Sequence, residues 1–115
     1  MSPRTQHRQK KAAYVLTVDP LNAAYKLHQE VSALGFDWPD THGVLAKIRE
    51  EVDEVEQALA HGDIDQAKSE LGDLLFTVVN LSRFIEIDPA EALTLCCERF
   101  SLRFSLLKTK LEAHI

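Results

Sequence analysis

The stretch Glu70-Leu71-Gly72-Asp73-Leu74-Leu75-Phe76-Thr77-Val78-Val79-Asn80-Leu81-Ser82-Arg83-Phe84-Ile85 decides the fold. Leu71, Leu74, Leu75, Phe76, Val78, Val79, Leu81, Phe84 and Ile85 would cover most of the circumference of a helix, so this helix belongs at the centre of a bundle. One line breaks the apolar surface. Glu70, Asp73, Thr77 and Asn80 fall at i, i+3, i+7 and i+10, a continuous polar stripe. Carboxylates buried without partners are costly, so something must compensate this pair.

The preceding segment supplies more acids rather than bases. Glu50-Glu51-Val52-Asp53-Glu54 again sets acids three apart, Glu51 and Glu54, on what reads as a neighbouring helix. Residues three apart share a helix face, and two antiparallel helices can bring four such carboxylates to one point. Like charges so placed repel, and hard divalent cations would reconcile them. All-carboxylate ligation selects Mg2+, with Mn2+ also suitable, over zinc. Acid runs are often only a solvated face, and Glu50, Asp53 and Glu56 fit that plainer account. Ions of this kind stabilise charge on a phosphate chain and generate hydroxide for in-line attack, so the chemistry implied is phosphoanhydride hydrolysis. There is no Gly-rich phosphate loop, which leaves phosphate recognition to the metals.

Punctuation around the central helix gives four helices. Asp19-Pro20 opens the first, which runs to about Leu34 and stops at Gly35. Phe36-Asp37-Trp38-Pro39-Asp40 makes a rigid connector. Asp40 or Thr41 caps the second, which reaches about His61 and stops at Gly62; Asp63 or Asp65 starts the third. Asp88-Pro89 closes the third and caps a fourth that runs nearly to the end. No segment alternates with period two, so the expected fold is all-α, an antiparallel bundle of about four helices. Leu45, Ile48, Val52, Val55 and Leu59 form a narrow seam on helix two. Helix four has Leu93, Cys97, Phe100, Phe104, Leu107 and Leu111 on one face, with Leu95, Leu102 and Leu106 nearly opposite. A helix with two apolar faces needs a second surface, which implies a homodimer or higher oligomer.

Bulk properties set the limits. The 115 residues, 45% hydrophobic and 27% charged, suit one compact domain. A net charge of -5 argues against a nucleic-acid binder. Residues 1–17 read as a basic arm, with Arg4, Arg8, Lys10 and Lys11, ahead of a helical domain over 18–115. Adjacent Cys96 and Cys97 do not suit a mutual disulfide and read as small core or interface residues. Reduced thiols and the absence of a secretory leader pattern lead to a cytoplasmic expectation. The most apolar stretch, Leu71 to Ile87, is too short and too polar to span a bilayer. His28, His42 and His61 lack metal-ligand spacing and read as surface or cap residues.

Several segments together resemble the MazG-type nucleoside triphosphate pyrophosphohydrolases of the all-α NTP pyrophosphatase superfamily. They are Gly35-Phe36-Asp37-Trp38-Pro39-Asp40, Val44-Leu45-Ala46-Lys47-Ile48, Glu50-Glu51-x-x-Glu54, Glu70-Leu71-Gly72-Asp73-Leu74-Leu75-Phe76, Val79-Asn80-Leu81-x-Arg83 and Arg99-Phe100-x-x-Arg103-Phe104. The resemblance covers about residues 20 to 107 and is nearest to the C-terminal copy of two-domain members. It implies a dimer of helical protomers that uses Mg2+ to cleave nucleoside triphosphates between the α and β phosphates. Carried over by position, Glu51, Glu54, Glu70 and Asp73 would be metal ligands. Glu50 would be a further ligand, a group supporting the ligands, or the general base.

Lys47 resembles a phosphate contact, with a salt bridge to Glu50 or Glu51 as the alternative. Asn80 would orient substrate, unless it is a buried amide satisfied by backbone. Arg99 and Arg103, one turn apart, would grip the triphosphate; family members often carry Lys at the Arg99 position. Trp38 would stack on a base or plug the core, and Arg83 reads as a structural ion pair. Narrower dUTP/dCTP or phosphoribosyl-ATP pyrophosphatases, and a non-catalytic metal-stabilised dimerisation module, are the competing readings.

Overall fold

The computed structural model describes residues 19–114; the basic arm expected over residues 1–17 lies outside them. Four helices follow in order: α1 Pro20–Ala33, α2 Thr41–Ala60, α3 Ile64–Phe84 and α4 Pro89–Ala113. An aspartate opens each one. Asp19, Asp40 and Asp63 accept from the backbone N–H groups of Leu21, His42 and Gln66, each at 2.9 Å. Asp88 accepts from Ala90 at 2.9 Å and Glu91 at 3.3 Å. Each cap is worth about 1 kcal/mol because it satisfies N–H groups that the helix leaves unpaired. Asp40 and Asp63, rather than Thr41 and Asp65, are therefore the caps of α2 and α3.

Three helices end the same way. After α1 and α2, Gly35 (φ 93°) and Gly62 (φ 69°) take the left-handed conformation, and the reversed chain bonds back to the last turn. Glu86 does this after α3, with φ 58°. Its N–H reaches the Arg83 carbonyl at 3.1 Å, and that of Ile87 reaches Ser82 at 2.8 Å. The α3 terminus thus has the geometry of a glycine stop without the glycine, which is why composition points only to Asp88-Pro89.

α3 packs against α1, α2 and α4, but Leu71, Leu75, Phe76, Val78 and Ile85 stay exposed, so the other helices cover only part of its apolar circumference. α2 and α3 form a hairpin. The deepest residues of α2 are Val44, Glu51 and Ala58, spaced by sevens along one face. The predicted seam lies beside this face. Leu45, Ile48 and Val55 are half-buried, while Val52 and Leu59 are exposed. The expectation fails there because apolar spacing alone does not distinguish the face toward α3 from one left for another surface.

α4 leaves the body. Pro89 is buried, but from Glu91 onward every described residue is exposed, including both predicted apolar faces and Cys96 and Cys97. The molecule measures 64 × 36 × 34 Å with a radius of gyration of 18.7 Å. A compact chain of this length has a radius near ~13 Å. No helix among the described residues is long and apolar enough to cross a membrane.

Candidate active site

The α2–α3 hairpin brings acids from both motifs together. One carboxylate oxygen each from Glu51, Glu70 and Asp73 lies within 4.8 Å of the other two. Their burial differs from expectation. Glu51 on α2 is buried, Glu70 is half-buried and Asp73 is exposed, so the deepest acid belongs to the first motif and not to the apolar α3. The cause is packing: Glu51 lies on the Val44–Ala58 line that meets α3, whereas Asp73 stands at the edge of that contact. Glu54 is outside this triad. It lines a cleft of about 210 Å3 together with Glu70, Gln57, His61 and Gln66.

Neighbouring side chains hold the acids. Lys47 Nζ lies 3.1 Å from Glu51 and 3.4 Å from Glu50, so both alternatives for the salt bridge occur together. The Glu51 and Glu50 carboxylates hold the Lys47 ammonium above the ordinary lysine range. Gln66 Nε2 donates to Glu70 at 2.7 Å. This residue escaped sequence reasoning, although its i, i+4 spacing to Glu70 is a readable signal. Buried Thr77 donates its hydroxyl to the Asp73 carbonyl at 2.9 Å, so the polar stripe is satisfied internally at that step. Among the described residues no cation pairs with Glu70 or Asp73. A donor set of carboxylate oxygens with uncompensated charge fits a hard divalent cation.

The other end of the hairpin carries a second arrangement. A cavity of about 370 Å3 is lined by Trp38 and Asp37 from the connector, His28 from α1, and Asn80 and Arg83 from α3. Trp38 lies against Gly43, where an added Cβ would stand 2.5 Å from the indole. The ring is 39% exposed and borders the cavity. Arg83 makes the ion pair anticipated for it, with Asp37 on both oxygens at 2.7 and 2.9 Å. That contact holds the Asp37 carboxyl down to about 2, mainly through hydrogen bonds from the guanidinium. Arg83 also donates to Asn80 Oδ1 at 2.9 and 3.1 Å. The Asn80 carbonyl oxygen is thus satisfied by a side chain rather than by the backbone.

His28 stacks on Phe76, ring centroids 4.0 Å apart, and its Nε2 donates to the Phe76 carbonyl at 2.8 Å. Burial pushes its imidazole below the ordinary value, partly opposed by that hydrogen bond. His61 donates Nδ1 to the Gln57 carbonyl and closes α2, the capping role expected of it. Arg99 and Arg103 are exposed on α4, and neither forms an ion pair among the described residues. The structure of one chain therefore does not bring them to the acids.

Residues 40–104 match the MazG nucleotide pyrophosphohydrolase domain. The nucleoside triphosphate pyrophosphohydrolase/pyrophosphatase MazG of Thermotoga maritima is 37% identical over 107 residues, 90% of this chain and 41% of that protein. The nucleoside triphosphate pyrophosphohydrolase of Escherichia coli K12 is 36% identical over 109 residues, 88% of this chain and 41% of its own length. The chain thus spans about two fifths of the length of these relatives. The matched region holds α2 and α3 whole, with both acid motifs and Asn80, and on that basis the chain belongs to the MazG nucleotide pyrophosphohydrolase domain family.

Proposed function

We propose that this chain hydrolyses nucleoside triphosphates between the α and β phosphates, giving a nucleoside monophosphate and pyrophosphate, with Mg2+ or Mn2+ held by the α2–α3 acids. The observation that carries the reading is the convergence of Glu51, Glu70 and Asp73, drawn from two motifs on different helices. Relatives named nucleoside triphosphate pyrophosphohydrolases support it.

Glu51, Glu70 and Asp73 would hold the cation, with Glu54 joining from the adjacent cleft. A divalent cation bound there neutralises phosphate charge and makes a bound water more acidic. Lys47 reaches the site's rim on its stem and would exchange its pairing with Glu50 for a phosphate oxygen. Glu50, exposed and outside the triad, then becomes available to take the proton of the attacking water. Gln66 keeps the Glu70 carboxylate oriented. Water's oxygen ends on the monophosphate, and the bridging oxygen leaves with pyrophosphate. Trp38 and Asn80 border the second cavity, which would take the nucleoside, while Arg99 and Arg103 would contact phosphate only in an assembly.

That assembly is a homodimer or a dimer of dimers. Its support is the unspent apolar surface of α4, where Phe100 is 70% exposed and Leu102 64% exposed, together with the extended dimensions of one chain. Phe100→Glu with Leu107→Glu is expected to lower the mass measured by light scattering to that of one chain. Unchanged mass would reject α4 as the contact.

Turnover of a panel of NTPs and dNTPs with Mg2+ in 18O-labelled water tests the chemistry. Monophosphate carrying the label, plus unlabelled pyrophosphate, is expected. Diphosphate plus phosphate would overturn the bond assigned. Asp73→Asn is expected to reduce turnover by at least ~100-fold through loss of a cation ligand.

A further inference from the structure

We propose that Arg83 is a positioning residue that fixes the direction of the Asn80 amide, so that Asn80 presents only hydrogen-bond donors to a nucleoside. The inference rests on the hydrolase reading for the identity of the ligand, and on the side-chain network for its chemistry.

A guanidinium has five N–H donors and no acceptor. Two of its nitrogens, Nε at 3.1 Å and Nη2 at 2.9 Å, face one atom of the Asn80 amide. That atom must be the carbonyl oxygen, because turning the amide over would set N–H against N–H. Arg83 is not free to adjust. Its Nη1 and Nη2 donate to Asp37 Oδ2 at 2.9 Å and Oδ1 at 2.7 Å, a fork that fixes the guanidinium plane. Asp37 in turn accepts from the Trp38 N–H at 2.8 Å and the Ser32 hydroxyl at 3.2 Å. Direction therefore passes from the connector through Asp37 and Arg83 to Asn80. The amide nitrogen of Asn80 has no hydrogen-bond partner among the described residues, and Asn80 borders the cavity shared with Trp38.

Position supplies the ligand. Asn80 lies seven residues beyond Asp73 on α3, about 10 Å along the axis at 1.5 Å per residue. That is the reach from a phosphate chain to the sugar and base. A donor-only group there reads an acceptor, either a ring carbonyl or a sugar hydroxyl oxygen.

Binding of α,β-imido analogues of UTP, CTP, dUTP and dCTP to the full chain, measured by calorimetry with Mg2+, separates the possibilities. Asn80→Asp keeps an oxygen toward Arg83 while replacing the donors with an acceptor, so the melting temperature should not fall. Its Kd is expected to rise about tenfold for the analogues that carry the contacted acceptor, the worth of one hydrogen bond. A rise on UTP and dUTP but not on CTP and dCTP assigns the ring O4, which cytosine replaces with an amino group. A rise on UTP and CTP but not on the deoxy pair assigns the 2′-hydroxyl.

Arg83→Lys keeps the charge beside Asp37 but cannot serve both partners with a fork, so it should narrow the same preference. An equal rise on all four that neutral Asn80→Leu reproduces assigns an acceptor common to the set, ring O2 or the 3′-hydroxyl; one that Asn80→Leu does not reproduce is the signature of a new charge near phosphate and overturns the proposal, as does an unchanged Kd. A wild-type chain that binds these analogues yet turns over no nucleotide would sink the hydrolase reading and leave this inference standing. A wild-type chain that binds none would sink both.

Discussion

Replacing Gly43 and, separately, Gly72 with alanine makes one chemical change on two helices with opposite expected signs. In a helix interior, alanine is favoured over glycine by about 0.8–1.0 kcal/mol because glycine has more backbone freedom to lose. At Gly72 an added Cβ meets nothing within 4 Å, so that gain should be realised nearly in full. At Gly43 the Cβ would stand 2.5 Å from Trp38 Cε3 and 3.2 Å from Cδ2 and Cζ3. Carbon atoms rest at about 3.5–4.0 Å, so the indole would have to withdraw by roughly an ångström. Overpacking of this kind costs about 1–3 kcal/mol. Gly43 is also in the first turn of α2, where the propensity gain is smaller.

The net expectation is a loss near ~1 kcal/mol for Gly43→Ala against a gain near ~1 kcal/mol for Gly72→Ala. In a domain of this size each kilocalorie moves the melting temperature by about 4–8 °C. Urea unfolding of both variants and wild type at one fixed protein concentration keeps the contribution of association the same across the comparison. A Gly43→Ala chain stabilised as much as Gly72→Ala would refute the packing of Trp38 on α2. A destabilised Gly72→Ala chain would show that another surface lies on α3 in solution. Because the displaced indole borders the cavity with Asn80, Gly43→Ala should also weaken nucleotide binding.

Two further outcomes follow from local geometry. Glu86→Gly relieves a left-handed residue at the α3 terminus and should raise the urea midpoint by an amount worth about 1 kcal/mol; a lower midpoint would mean that the Glu86 side chain contributes more than its backbone costs. Asp37 is held at about 2 by Arg83, below its ordinary 3.8, so its contribution is present above pH 4 and disappears as pH falls toward 2. With the side chain about one-third exposed, screening reduces that contribution to about 1 kcal/mol. Wild type should therefore exceed Asp37→Asn in stability at pH 6, with the gap narrowing toward pH 2.5; a constant gap would remove the ion pair from the account.

Local chemistry was legible wherever it depends on near neighbours in sequence. The Asp19 and Asp88 caps and the glycine stops after α1 and α2 follow from spacing and side-chain type, whereas the choice of Asp40 over Thr41 and of Asp63 over Asp65 needed the structure. The pairing of Lys47 with Glu50 and Glu51, which lie three and four residues away, also follows from spacing. Glu86 could not be read as a stop, because its conformation is imposed by the turn and not preferred by the residue. Arg83 and Asp37 are separated by 46 positions, and only folding brings their charges together.

The sequence by itself determined an all-α chain, two acid motifs and the helices that carry them. Hydrophobic period and capping residues act within a few turns, so no tertiary information is needed. Only the tertiary structure decided which carboxylate lies deepest. Glu51 is buried and Asp73 exposed because the α2–α3 contact runs along Val44, Glu51 and Ala58, a choice of face that apolar spacing leaves open. The same packing decided that Asn80 meets Arg83. A side-chain amide takes its direction from the donors around it, and those donors arrive from elsewhere in the fold.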